Sequence, residues 1–222
     1  MRTDNAVRRG TRGRPHGPQP AKRQAILDAA VTVFLREGYQ RAGVDVIAAA
    51  AGVSKQTVYN HFGDKERLFL AAVEGERQRV ADDFAAHPHE APDASEATDD
   101  LDAAAALTAH GHRVLRVLLD ERASALRRLV IAEVARHPSL RPACADGEPR
   151  QLVDRLAALL RHHHERGELD VPDPASAAGQ FTALVVQQGL HRSMYGTRAL
   201  TEPEAEAICA PAADLFVRAH RR

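Results

Sequence analysis

The chain has 222 residues, 44% of them hydrophobic and 27% charged, with 30 basic and 30 acidic side chains and no tryptophan. This is the profile of a soluble globular protein of one large or two small domains with a core of Leu, Val and Ala, and no run is long and apolar enough to span a bilayer. The zero net charge hides a split: residues up to Glu74 hold 12 basic against 7 acidic side chains, and the rest hold 18 against 23. A basic front suits a phosphate backbone, and an acidic back stays off it.

Residues 1–19 are rich in Arg, Gly and Pro and read as a disordered basic arm. Within it, Arg12-Gly13-Arg14-Pro15 resembles the core of a minor-groove hook, in which an extended segment slides Arg side chains into a narrow groove. A solvated tail that touches phosphates without reading sequence is the alternative. The arm is basic, but the apolar positions after it are interrupted by Asp28, Arg36 and Glu37, so it does not read as a secretion signal. The expected location is the cytoplasm.

Ile26, Leu27, Ala30, Val33 and Phe34 recur at helical spacing and predict a first helix from Pro20 to Glu37, ended by Gly38. Residues 43–66 then read as a helix-turn-helix. Val46, Ile47, Ala50 and Ala51 are the expected apolar face of a short helix. Gly52 supplies its left-handed stop, and Ser54 caps the next helix, which runs to Phe62. That second helix carries Lys55, Gln56, Thr57, Tyr59, Asn60 and His61, donors and acceptors long enough to reach base edges and phosphates. A fourth helix is expected from Lys65, with Leu68, Phe69, Ala72, Val73, Val80 and Phe84 inward.

Residues 87–100 break the pattern with Pro88, Pro92 and many acids. Amphipathic helices are predicted behind them over 101–119, 122–136, 149–167, 174–195 and 202–220, separated by Pro and Gly. No stretch alternates with period two, so the fold is expected to be all-α. Cys144 and Cys209 are isolated thiols without metal-type spacing, as in a reducing compartment. His162, His163 and His164 fan out by about 100° each and cannot share one ion, so they read as a solvated helix end and no metal site is expected.

Ala25 to Ala30, Phe34, Gly38-Tyr39, Ile47-Ala48, Ala51 to Ser54, Thr57 to Tyr59, His61-Phe62 and Lys65 to Phe69 together resemble the DNA-binding domain of TetR-family bacterial regulators, over residues 21–70. The run Arg128 to Glu133 followed by His137-Pro138 is similar to an AefR-like C-terminal subtype. The resemblance implies a three-helix helix-turn-helix domain over 20–66 and a helical effector-binding and dimerisation domain over 67–222. It implies a homodimer paired through its last two long helices, an inverted-repeat operator in double-stranded DNA, and a repressor released by a small-molecule effector. By matching positions, Thr57, Tyr59, His61 and Lys65 contact phosphates, Lys65 adding its charge to the N-terminus of the fourth helix. Lys55, Gln56 and Asn60 read bases, since Lys suits guanine acceptors and Gln and Asn suit adenine. Where the family often has a Thr or Ser to cap the second helix and hold a phosphate, this chain has Ala42-Gly43-Val44; the basic arm is the expected compensation.

An effector cavity is expected within residues 105–192. By apolar face and position its candidate lining is Leu115, Leu118, Leu119, Val130, Val134, Leu156, Leu160, Phe181, Leu184 and Val185, with Gln187, Gln188 and His191 as polar additions. Each is equally an ordinary core position. No nucleophile elbow, phosphate loop, dinucleotide fingerprint or paired metal motif occurs, so neither an enzyme nor a cofactor is expected. An activator and an effector-independent architectural DNA-binding protein remain as alternatives, because a helix-turn-helix reports binding and not its consequence.

Overall fold

The first helix begins two turns ahead of its apolar stripe and ends where a glycine turns the chain. In the computed structural model, which describes residues 19–86, 102–141 and 150–221, α1 spans Gln19–Arg41. Gly38 lies inside that span with φ 78° and ψ 162°, so the regular helix stops there and Tyr39 is redirected into the core. Then come α2 (Val44–Ala50), α3 (Lys55–Phe62) and α4 (Lys65–Ala86). After the next described segment begins, α5 (Ala103–Leu118) and α6 (Glu121–Glu133) follow, with a short 3-10 turn over Pro138–Leu140. The last three helices are α7 (Arg150–Glu165), α8 (Pro174–Arg192) and α9 (Glu202–Ala219). The fold is all-α, and the one β pairing among the described residues is the isolated bridge of Leu169 with Arg221.

Two cores form. The head core gathers Ile26, Ala30 and Phe34 of α1, Ile47 of α2, Val58 and Phe62 of α3, and Leu68, Phe69 and Val73 of α4. It also takes in Leu126 and Val130 of α6, and Leu140. The expected boundary at residue 66 therefore falls inside a continuous core. The body core gathers α5, α7, α8 and α9, centred on Leu107, Leu115, Leu156, Leu160, Phe181, Val185 and Ala213. Small residues let these helices approach closely: a Cβ at Gly111 of α5 would stand 2.9 Å from the Cys209 sulfur of α9.

Two expectations need correction. Val46 and Ala50 face solvent, and α2 buries Val44, Ile47 and Ala48 instead, with Ala51 half-buried. The helix starts at Val44, and 44, 47, 48 and 51 are the positions that share a face. His163 is 2% exposed rather than solvated. The chain folds back over the end of α7, where the His163 ring nitrogen Nδ1 meets the Glu168 carboxylate and His164 Nδ1 accepts the Val171 N–H at 3.1 Å. Cys209 is fully buried with its thiol pushed up to about 12, chiefly by burial, which makes it inert. The basic arm and Cys144 lie outside the described residues.

Candidate nucleic-acid interface

The turn between α2 and α3 is built by two local devices. Gly52 adopts φ 66°, and Val53 donates its N–H back to the Ala48 carbonyl at 3.0 Å. Ser54 then opens α3, its Oγ accepting the Thr57 N–H at 3.1 Å. Val58 and Phe62 anchor the helix in the head core, which leaves the opposite face to solvent.

That face carries the predicted contact residues. Lys55, Gln56, Tyr59 and Asn60 are exposed, Tyr59 by 38%. Gln56 Nε2 donates to Asn60 Oδ1 at 2.9 Å. One amide oxygen and one amide nitrogen of the pair remain for a partner, which is the donor–acceptor pair an adenine edge requires. Lys55 Nζ stands 3.9 Å from Asp45 Oδ1 across the turn, an exposed and weak contact that DNA can replace. Thr57 is half-buried with its hydroxyl 2.8 Å from Ser54 Oγ, and the half-buried His61 ring lies beside Phe62.

The two neighbouring helix starts differ. At α2, Gly43 is the N-cap and no side chain caps the helix, as its sequence implies. At α4, Asp64 Oδ1 accepts the Arg67 N–H at 2.8 Å, so one of the N–H groups expected to help Lys65 hold a phosphate is already taken by a carboxylate. Lys65 itself is half-buried. Its Nζ donates to the Gln40 carbonyl at 3.0 Å and lies 4.9 Å from the centre of the Tyr39 ring. Burial lowers its pKa, and the Glu133 carboxylate opposes that shift. Arg23, not singled out in the sequence, lies over the Phe62 ring at 5.3 Å and brings a further cation to the end of α3. Gln40, Glu133 and His137 were also missed. Their contacts join positions more than 90 residues apart, which no local pattern reveals.

In the body, Leu115, Leu156, Leu160, Phe181 and Val185 are brought together, but as closely packed core. Leu119 packs at the edge of that cluster, whereas Val134 packs on the head core with Val130 and does not join it. Leu184 faces solvent. A cavity of about 50 Å³ lies beside this core, between Arg77 and Val80 of α4, Val114, Val117 and Leu118 of α5, Ala123 and Arg127 of α6, and Leu152 of α7. Among these, only Leu118 is an expected lining residue. His112 meets Glu206 at 2.7 Å and His191 meets Gln187 at 2.9 Å, so each has a partner outside the cavity.

Comparison with known proteins follows the same division. Residues 26–72 match the family profile of bacterial regulatory proteins of the tetR family, and residues 105–222 match that of the AefR-like transcriptional repressor C-terminal domain. An uncharacterised HTH-type transcriptional regulator of Mycobacterium tuberculosis is 31% identical over 202 residues, 88% of each chain. The HTH-type transcriptional activator FasR of Mycolicibacterium smegmatis is 42% identical over 79 residues, 32% of this chain and 36% of its own length. Among solved structures, a TetR-family regulator from Mesorhizobium loti superposes with a TM-score of 0.77 at 26% identity, over 93% of this chain and all of that one.

Proposed function

We propose that this chain, which belongs to the TetR family of DNA-binding transcriptional regulators, is a homodimeric repressor released from its operator by a small molecule. The observation that carries the DNA-reading assignment is the outward face of α3, where Lys55, Gln56 and Asn60 are set side by side on a capped helix anchored by Val58 and Phe62. Lys55, Gln56 and Asn60 read bases in the major groove. Thr57, Tyr59, His61 and Lys65 hold the backbone, and Arg12 and Arg14 of the arm enter the flanking minor groove.

Dimerisation through α8 and α9 is supported by their outward faces, on which Ala183, Leu184, Ala207, Pro211 and Leu215 are exposed without a partner in the single chain. Two heads held by one two-fold axis require an inverted repeat. Release by an apolar effector draws on the largely aliphatic lining between α4, α5, α6 and α7, a space that must widen to admit a ligand and that touches α4, the helix that enters the head. Repression is favoured over activation by the subtype of the C-terminal domain.

The test is selection of bound duplexes from a random pool, comparing the full chain with one begun at Gln19. An inverted repeat supports the dimeric reader, and an A·T preference flanking it in the full chain alone supports the arm. A pool with no enriched motif would remove the sequence-reading assignment. Release is then tested by adding small molecules to the selected complex. A compound that dissociates the DNA must also raise the melting temperature of the free protein, because it binds the folded state.

A further inference from the structure

The side chain of Gln40 joins the end of α1 to the end of α6. Its Nε2 donates to Glu133 Oε2 at 3.1 Å and meets His137 Nε2 at 2.7 Å. The two amide hydrogens match these two acceptors, which places the His137 proton on Nδ1. Glu133 ends α6 and is only 8% exposed; His137 follows one turn later, its N–H bonded to the Glu133 carbonyl. The backbone carbonyl of the same Gln40 accepts from Lys65 Nζ. Tyr39, the next ring under Lys65, packs against His137 at 5.1 Å and against Phe69 at 4.9 Å. The left-handed Gly38 is what turns residues 39 and 40 toward this place.

We infer that Gln40, held by Glu133 at the end of α6 and by His137 one turn later, positions Lys65 for its phosphate. The inference rests on the phosphate role proposed for Lys65. A lysine on a free stem must be ordered when DNA binds, and ordering such a side chain is unfavourable. Here one of its three N–H groups is committed to the Gln40 carbonyl and the stem is half-buried over Tyr39, while two N–H groups remain for the phosphate. The route has a definite far end. Ala123 and Arg127 of α6 line the body cavity, Leu126 and Val130 enter the head core, and Glu133 reaches Gln40. These positions lie on one side of α6 over about 15 Å at 1.5 Å per residue. Arg128 also ties α6 to the turn after α8, donating to the carbonyls of Tyr195 and Gly196. One helix therefore touches the cavity, the last helical pair and the support of the phosphate-binding lysine.

The experiment measures binding of the full-length dimer to its selected duplex and to a scrambled duplex over a series of salt concentrations. Gln40→Leu keeps the backbone carbonyl and removes the amide, and the residue is exposed enough for the chain to fold. It should weaken both duplexes alike by about three- to tenfold. It should also lower the salt slope toward that of Lys65→Ala, about one unit below wild type. The double variant should bind no worse than Lys65→Ala alone, because both changes remove one interaction. Glu133→Leu, on α6 itself, removes the acceptor and should lower the slope in the same direction. A merely structural role would shift the melting temperature and leave the slope and the additivity untouched. A wild-type slope in Gln40→Leu, or losses that add to those of Lys65→Ala, overturns the positioning while leaving the phosphate role intact. A wild-type slope in Lys65→Ala overturns the phosphate role, and the positioning with it.

Discussion

The head closes around rings and the body closes around small residues. In the head, Phe34 and Phe69 meet edge to face at 4.9 Å, and Tyr39 lies 4.9 Å from Phe69 and 6.0 Å from Phe34. In the body, the described core has two phenylalanines, Phe181 and Phe216, and α5 approaches α8 and α9 across Gly189 and Gly111. A ring cluster concentrates its energy in a few side chains. Close helix packing spreads it over many contacts and depends on what is missing from a position. Opposite kinds of substitution should therefore damage the two regions.

The largest effect is expected from emptying the ring cluster. Phe34→Ala should cost about 3–5 kcal/mol, as buried aromatic truncations do, read as a lowered midpoint in chemical denaturation with an unchanged slope. A loss below about 1 kcal/mol would show that the neighbouring rings collapse into the space and that the cluster is less rigid than its geometry.

The body buries a titratable ring without a partner among the described residues. His110 of α5 is buried, its Nε2 has no hydrogen-bond partner among the described residues, and its pKa is pushed down to about 4 by burial and then by Arg113 and Arg155. The unfolded chain takes up this proton near pH 6.5 and the folded one near pH 4. Stability from this group is therefore complete above pH 6.5 and is lost as pH falls to about 4, by a total of about 3 kcal/mol. In His110→Leu, denaturation midpoints should be flatter over that window than in wild type. Equal pH dependence in the two chains would assign the acid sensitivity elsewhere.

Small-to-large changes sharpen the comparison from the other side. Gly111→Ala puts a Cβ 2.9 Å from Cys209 Sγ and 3.1 Å from its Cβ, and should cost about 1–3 kcal/mol by forcing α5 from α9. Gly179 of α8 has nothing within 4 Å of an added Cβ, so Gly179→Ala should stabilise the single chain by up to about 1 kcal/mol through helix propensity. Its face is also the proposed pairing surface. A Gly179→Ala chain that becomes monomeric at a concentration where wild type is dimeric would show that the partner helix packs on this glycine.

The same contrast explains what was legible in the sequence. The head declares itself locally: Gly38, Gly52 and Gly63 hold positive φ where helices end, Ser54 caps α3, and helix boundaries fall within a few residues of expectation. Even there, α2 was misread by face, because in Val-Asp-Val-Ile-Ala-Ala-Ala several stripes are equally apolar and only the packing of Val44, Ile47 and Ala48 into the head core decides between them. In the body the helices were legible from period and breakers, but their interior was not. Leu115, Leu156, Leu160, Phe181 and Val185 do converge, yet they fill the space they were expected to line. The cavity proposed above for the effector draws on Arg77, Val80, Val117 and Ala123, whose side chains meet through helix packing. His163 shows the same limit, since its burial is set by the return of residues 168–171 and by the Leu169–Arg221 bridge.

The smallest expected effect on stability carries the sharpest reading of the interface. Helix α3 begins with a capping serine and α2 begins with Gly43, which has no side chain to offer. Gly43→Ser supplies an oxygen for the free N–H groups of α2, and because glycine is itself a tolerable cap the gain in stability should be only a few tenths of a kcal/mol. The new Cβ would stand 2.8 Å from Asp45 Oδ1, so the exposed Asp45 side chain must swing aside and release its contact with Lys55. Both consequences favour DNA: a hydroxyl appears at the mouth of α2, and Lys55, proposed above as a base reader, loses its acidic neighbour. Operator binding should tighten by a few fold with little change in its salt slope, because a neutral hydroxyl displaces no counterion. The gain should be larger in a chain begun at Gln19 than in the full chain if the basic arm supplies the anchor that Gly43 lacks. Equal gains in the two would separate the arm from this corner of the interface, and no gain in either would mean that no phosphate lies within reach of α2.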